Sequence, residues 1–157
     1  MNGIIEIIFE GVPDENVDNL VRAIIGRADV LDVSHSELGV IENSLTRHGL
    51  ICSLKKYDVP VSIFINLSFA EIGGVVIAAP LLRVLRFENV NEASVVFSDR
   101  DVKDGDDQDA VSKLAEGTDE IAHMAGALDC YCGFEPATDM STRLFTRGKV
   151  GPLFSVR

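Results

Sequence analysis

The strongest constraint on the fold is a run of alternating side chains near the middle of the chain. Residues 61–67 place Val, Ile, Ile and Leu at every second position, with Ser, Phe and Asn between them. Successive side chains of a β-strand point to opposite faces, so this alternation is typical of a half-buried strand in an antiparallel pair. The chain is therefore predicted to contain a sheet with antiparallel strands.

Two helices and a buried first strand are predicted around that sheet. Ile4–Phe9 is rich in β-branched residues and predicts a buried strand. Residues 13–25 begin with Pro-Asp-Glu and continue with apolar residues at spacings of three and four, which predicts a helix that Gly26 ends. Residues 109–128 predict a second helix, in one or two pieces because of Gly117. Both helices are expected to pack on strands 4–9 and 61–67.

The fold class predicted is α/β (α+β), with one domain spanning residues 1–157 and a mixed or mostly antiparallel sheet. Other segments are predicted from shorter patterns. Strands are expected at 30–33, 38–41, 50–57 and 93–97, a helical turn at 42–48, and within 69–87 a helix that begins near Gly74 and restarts at Pro80.

The charge balance limits the partners that the chain can bind. With 14 basic and 25 acidic residues the net charge is −11, which opposes binding to a phosphate backbone. Direct contact with nucleic acid is therefore not expected. The charge suits a basic protein partner, and it equally suits solubility alone.

Cysteine usage and the N-terminus predict a cytoplasmic protein. Three cysteines cannot form a closed set of disulfides, which favours a reducing compartment. The N-terminal run lacks a basic region and is broken by acidic residues, so it does not resemble a signal peptide. The most apolar window, residues 72–85, is too short to span a bilayer, so no membrane association is expected.

Metal binding and cofactor binding are not predicted. An EF-hand register centred on Gly105 puts Arg100 at the first ligand position and Val111 at the twelfth, so the register fails. A zinc site of Cys52, Cys130, Cys132 and His123 remains an alternative, although the second spaced pair of ligands is missing. Buried cysteines commonly serve as small apolar residues.

Residues 130–154 have no sustained helical or strand period. They contain Glu135, Asp139 and Arg143, the group of polar residues that is the best candidate for a functional site. Glu135 and Asp139 can act as an acid and a base beside Arg143 in a small hydrolase or nuclease. Alternatively, Arg143 can fork onto a carboxylate such as Glu135 and pin an irregular loop across the fold. The structural role is favoured because it needs neither a substrate nor an activated nucleophile.

The same segment carries a resemblance to a known family. Gly133-Phe134-Glu135-Pro136-Ala137-x-Asp139, followed by Thr142-Arg143-x-Phe145-Thr146 and Gly151-Pro152-Leu153, resembles the C-terminal signature of immunity proteins of bacterial contact-dependent growth inhibition and polymorphic toxin systems. The resemblance covers about the last sixth of the chain.

The resemblance implies a non-enzymatic protein that binds one cognate toxin domain, commonly a nuclease that acts on transfer RNA or DNA. A nuclease is basic where it holds phosphates, so an acidic partner can occlude that surface and speed the encounter. The protein is expected to act as a monomer or homodimer; an oligomeric scaffold is a further alternative. The candidate toxin-binding residues are Asp104, Asp106, Asp107, Asp109, Glu135 and Asp139, and a simple hydrated loop at 104–109 is the alternative for the first four.

Overall fold

The computed structural model describes residues 3–41, 49–103 and 108–153. In these ranges the chain forms eleven strands and three helices. The strands are β1 (Ile4–Val12), β2 (Val30–His35), β3 (Gly39–Val40), β4 (Val61–Leu67), β5 (Phe69–Ile72), β6 (Val75–Ala78), β7 (Leu81–Phe87), β8 (Val90–Ser98), β9 (Asp129–Phe134), β10 (Arg143–Thr146) and β11 (Lys149–Val150). The helices are α1 (Asp14–Ile25), α2 (Leu50–Leu54) and α3 (Gln108–Ala125).

Nine strands form one sheet in the order β11-β10-β9-β1-β8-β7-β4-β2-β3, and β5 and β6 form a separate hairpin. All the strand pairs of the large sheet are antiparallel. The predicted fold class, a mostly antiparallel sheet with helices packed on it, is confirmed. The predicted strands at Ile4–Phe9 and Val61–Leu67 lie in β1 and β4.

The helices cover one face of this sheet, here called the covered face. In β1 the side chains of Ile5, Ile7 and Phe9 are fully buried and belong to the same apolar cluster as the buried residues of α1, α2 and α3. Ile8 points the other way and belongs to a small second cluster with Tyr131 and Ala137. The sheet is therefore a boundary between a thick apolar core and an opposite face, called the open face, on which no described helix packs.

Two predicted elements were wrong. Residues 50–57 form α2 and a turn instead of a strand, with Leu50 and Leu54 buried one helical turn apart. Residues 69–87 form three strands instead of a kinked helix. Gly73 and Gly74 both have positive φ, so they make the tight turn of the β5–β6 hairpin, and Ala79 turns the chain before Pro80. The predicted turn at 42–48 lies outside the described residues.

Helix α3 is continuous through Gly117, and the β5–β6 turn lies directly on the helix at this residue. A Cβ atom on Gly117 would come within 2.3 Å of the Gly73 nitrogen, and one on Gly73 within 1.9 Å of the Lys113 oxygen. Two glycines are thus needed for the close approach of the two backbones. This contact fixes the hairpin to the helix layer, away from the open face.

The C-terminal segment is more regular than its sequence predicts. Strands β9, β10 and β11 extend the sheet on the far side of β1, and residues 135–142 form a loop between β9 and β10. The loop begins with a cis peptide bond between Glu135 and Pro136 and contains a short 3₁₀ turn at Met140–Thr142. Because Ala137 packs on Ile8 and Tyr131, this loop covers the end of the open face nearest β9.

Candidate functional site

The side chain of Arg143 holds the 135–142 loop through hydrogen bonds to its backbone. Its guanidinium is almost fully buried; Nε donates to the Ala137 carbonyl at 2.9 Å, and Nη2 lies 3.5 Å from the Thr138 carbonyl. Nη1 donates to Thr146 Oγ1 at 3.2 Å. The prediction that Arg143 holds the loop through a carboxylate does not match these contacts, because the guanidinium binds backbone carbonyls and a hydroxyl. Glu135 contributes its backbone N–H, which donates to the Ile4 carbonyl at 2.8 Å.

Tyr131 connects that loop to the open face. The Arg143 guanidinium carbon lies 4.0 Å from the centre of the Tyr131 ring, a cation–π geometry. The phenol donates to Glu10 Oε1 at 2.5 Å. Burial, followed by the hydrogen bond to Glu10, raises the pKa of Tyr131, so the phenol stays protonated and keeps donating. The Glu10 carboxylate is therefore held in a fixed orientation.

Three carboxylate side chains lie on the open face: those of Glu6 and Glu10 on β1 and that of Glu92 on β8. Glu6 and Glu10 alternate with Ile5, Ile7 and Phe9 of the covered face. Glu92 lies beside Glu10, because Phe9 pairs with Ala93 in the register of β1 and β8. All three side chains are partly buried. Within the described residues, no lysine or arginine lies within ion-pair distance of any of them.

The pKa of Glu92 shows how this arrangement affects its charge. Burial raises the pKa of Glu92 first, and the neighbouring charge of Glu10 raises it further. Glu6 has the same effect, while Arg83 on β7 opposes it. Like charges on neighbouring strands destabilise a sheet. Glu10 and Glu92 therefore place two like charges on neighbouring strands, and among the described residues neither carboxylate has an ion-pair partner.

An apolar depression adjoins Glu92 where β7 turns into β8. It is lined by Leu85, Phe87, Glu88, Val90 and Glu92. Phe87 is 50% exposed and Val90 is 56% exposed, although both are large apolar side chains. The open face thus places exposed apolar surface next to Glu92, which has no ion-pair partner among the described residues.

The predicted site residues fall into separate places. Asp104, Asp106 and Asp107 lie outside the described residues, and Asp109 is exposed in the first turn of α3, on the helix side of the sheet. Glu135 and Asp139 are exposed on the loop that covers part of the open face. The structure therefore brings Glu135 and Asp139 into one loop but leaves Asp109 on the other side of the sheet.

Asp139 has a local structural role. Its Oδ1 accepts from the Ser141 N–H at 3.0 Å and from Ser141 Oγ at 2.8 Å, which caps the 3₁₀ turn. These hydrogen bonds lower the pKa of Asp139. In the predicted catalytic arrangement Glu135 and Asp139 were the acid and base and Arg143 was the oxyanion donor. In the structure Asp139 accepts from Ser141 and Arg143 donates to the loop carbonyls, so these hydrogen bonds are local to the loop.

The cysteines do not gather around a metal. Cys52 is exposed on α2, whereas Cys130 and Cys132 are buried in β9. Burial raises the pKa of both β9 thiols, which disfavours the thiolate that zinc needs. Among the residues that the structure describes, no three His, Cys, Asp or Glu side chains lie close enough together to hold a metal ion. No described helix is long and apolar enough to cross a membrane.

Sequence reasoning missed Glu6, Glu10, Glu92 and Tyr131. The available signal was the position of the two β1 glutamates in an otherwise apolar strand, where they alternate with buried residues. Only the strand order shows that Glu92 and Tyr131 flank them.

Comparison with known proteins identifies the family. The family model described as PABL017 Cdi1I immunity protein matches residues 3–150. The chain belongs to the Cdi1I immunity protein family. Its match extends over nearly the whole chain, so the family is confirmed well beyond the C-terminal motif on which the resemblance was based. No curated protein matches the chain.

A solved structure has the same fold as this Cdi1I family member. It is the 1.75 Å crystal structure of the toxic C-terminal tip of CdiA from Pseudomonas aeruginosa in complex with its immune protein. The aligned chain is 25% identical, with a TM-score of 0.77, and the alignment covers 98% of this chain and 99% of that chain. The fold described above is therefore the fold found in a toxin–immunity complex.

Proposed function

We propose that this Cdi1I family member binds the toxic C-terminal domain of a CdiA-type protein and neutralises it by covering its active surface. The family match over residues 3–150 carries this proposal. The structural relative, which comes from a complex of a CdiA toxin tip with its immune protein, supports the kind of partner. The protein would act without catalysis, in the cytoplasm of the cell that makes it.

The charge supports a basic toxin of the nuclease type. At a net charge of −11 the protein repels nucleic acid and attracts a domain whose active surface is positive. A nuclease needs such a surface to hold phosphates. Electrostatic attraction of this kind raises association rates more than it raises affinity, and it weakens as salt is added.

The exposed carboxylates of the 135–142 loop are proposed to contribute to binding. Glu135 and Asp139 lie at the rim of the open face, where a bound domain would approach them. Asp109, with Asp104, Asp106 and Asp107, is proposed to add long-range attraction. Solvent-exposed charges contribute to steering mainly through the encounter rate.

The test is binding and rescue with the toxin domain encoded immediately upstream of this gene. We expect a stable complex of the two purified domains and normal growth of cells that produce both. The association rate constant is expected to fall at least tenfold between 50 and 500 mM salt, on the order expected for steered association. Absence of a complex together with absence of growth rescue would refute the proposed function.

A further inference from the structure

We infer that the depression at the β7–β8 turn receives a lysine or arginine side chain of the toxin, with its charged head between Glu10 and Glu92. This inference rests on the proposed function and identifies the surface that carries it. The apolar stem of such a side chain would lie on Leu85, Phe87 and Val90. Basic residues bind in this manner because their methylene stems are apolar and their heads are charged.

The first argument is charge complementarity. Glu10 and Glu92 are partly buried on neighbouring strands, and among the described residues neither has an ion-pair partner. Arg83 influences Glu92 only at longer range. A cation from a partner would relieve the repulsion between the two carboxylates, which a further apolar or acidic group would not do.

The second argument is the exposed apolar surface beside the carboxylates. Phe87 and Val90 project from the ends of the two strands at the turn, and each has half or more of its surface exposed. The turn residues Glu88 and Asn89 have positive φ, so a tight turn holds the two strands in register. Phe87 is therefore presented next to a tight hairpin turn with half of its surface exposed, where it can make an aromatic contact in an interface.

The third argument is the support that the C-terminal motif gives to Glu10. Arg143 is fixed by the Ala137 carbonyl and lies over the Tyr131 ring, and the Tyr131 phenol donates to Glu10. Tyr131 is 2% exposed, so it reaches the partner only through Glu10. Tyr131 and Arg143 are thus positioning residues. Arg143 of the motif lies over Tyr131, and Tyr131 in turn orders the carboxylate of Glu10, 121 residues earlier in the sequence.

The experiment compares toxin affinity with the stability of the free protein. The variants are Glu92→Gln and Glu10→Gln, and the matched control is Glu120→Gln, an exposed glutamate on α3. We expect each open-face variant to raise the Kd for the upstream-encoded toxin domain at least tenfold, and the control to change it less than twofold. The urea midpoint of free Glu92→Gln is expected to equal or exceed that of the parent, because a repulsion has been removed.

Tyr131→Phe tests the positioning role. It is expected to raise the Kd severalfold alone and to add nothing to Glu10→Gln, because both changes act through the same carboxylate. Purely structural damage would instead lower the urea midpoint and add to the effect of Glu10→Gln.

The outcomes separate the inference from the proposed function. If the parent binds the toxin and neither glutamine variant weakens binding, the inference is wrong and the proposed function stands. If weaker binding always accompanies a lower urea midpoint, the carboxylates are structural and the inference is also wrong. If the parent binds no upstream-encoded toxin and gives no rescue, the proposed function itself fails.

Discussion

Two charged clusters lie on opposite faces of the same sheet and differ in how their charges are balanced. On the covered face, the buried Arg86 donates to Asp14 Oδ1 at 2.5 Å and to Asn91 Oδ1 at 2.8 Å. Asn91 also donates to Asp14 Oδ1 at 2.7 Å. On the open face, Glu10 and Glu92 lie side by side, and within the described residues neither has a cation at ion-pair distance.

This difference separates the residues that hold the fold from the residues that serve a partner. The Arg86 cluster joins β7 and β8 to the start of α1, so its charges are satisfied inside the molecule. The Glu10–Glu92 pair instead places two like charges on neighbouring strands, an arrangement that is generally unfavourable in a sheet. Natural proteins keep such unfavourable groups where function requires them.

The largest expected effect concerns the covered face. Gly117→Val should lower the free energy of unfolding by about 3 kcal/mol or more, because a side chain there meets the Gly73 backbone and not a flexible side chain. Urea unfolding at pH 7 measures the loss. Glu116→Ala, on the exposed side of the same helix, should stay within about 0.5 kcal/mol of the parent. Equal stabilities would show that α3 and the hairpin do not touch as described.

Arg86→Met should lower the free energy of unfolding by about 2 kcal/mol, since it removes one partner of a buried ion pair. The value is at the low end for such pairs because the Asp14 side chain is 36% exposed and partly solvated. Toxin affinity at a temperature where the variant is folded should not change. A loss of affinity without a loss of stability would reverse the roles of the two clusters.

A smaller effect on the free energy of unfolding is expected from His35, at the edge of the covered face, and it should depend on pH. Its Nδ1 accepts from the Glu37 N–H at 3.0 Å, and its Nε2 is buried with no hydrogen-bond partner among the described residues. Burial lowers the pKa of His35 below its usual value of 6.5, and Glu37 only partly opposes this. As the pH drops below about 6.5, His35 becomes protonated in the unfolded chain while it stays neutral in the folded protein. The free energy of unfolding should therefore fall as the pH drops through this range.

His35→Asn keeps an acceptor near the Glu37 N–H and removes the titration. The difference in unfolding free energy between parent and variant, followed by urea unfolding from pH 7.5 to 5, should change in favour of the variant as the pH falls. A constant difference would mean that His35 titrates equally in both states.

The smallest expected effect has the opposite sign and comes from the open face. The raised pKa of Glu92 means that its ionised form is unfavourable in the folded state, so the penalty is present near pH 7 and disappears as the pH falls towards the usual value of 4.5. Glu92→Gln should therefore stabilise the free protein slightly at pH 7, by less than about 1 kcal/mol. That advantage should shrink on acidification. A Glu92→Gln variant that is less stable than the parent at pH 7 would show that the carboxylate is already compensated.

The periodicities of the sequence predict the main elements but not how they are assembled. The alternation in Val61–Leu67 and the apolar face of residues 13–25 each occur within one element, and both predictions are confirmed. Residues 69–87 were predicted to be helical because apolar residues at 81, 82, 84 and 85 fit a helix as well as a strand of a sheet. The deciding residues, Gly73 and Gly74, form a turn whose packing partner is 44 residues away, at Gly117.

The site was harder to predict than the fold for the same reason. The C-terminal motif pointed to the family, but the partners of Arg143 are backbone carbonyls that carry no sequence signal, and not the carboxylate that was predicted. The Glu10–Glu92 pair depends on β1 lying beside β8, and the support from Tyr131 depends on β9 lying on the other side of β1; neither follows from the pattern within one strand. An acidic cluster such as residues 104–109 is visible in the sequence. Glu10 and Glu92 are separated by 82 positions, so nothing in the sequence shows that they are neighbours.

The central claim, that the open face binds the toxin, is tested most directly by hydroxyl-radical footprinting of the free protein and of its complex with the upstream-encoded toxin domain. Phe87 on the open face and Met124 on α3 form a matched pair of probes, since they are 50% and 49% exposed. We expect Phe87 to become strongly protected in the complex while Met124 keeps the oxidation rate of the free protein. Protection of Met124 with an unchanged Phe87 would place the toxin on the helices and contradict this account.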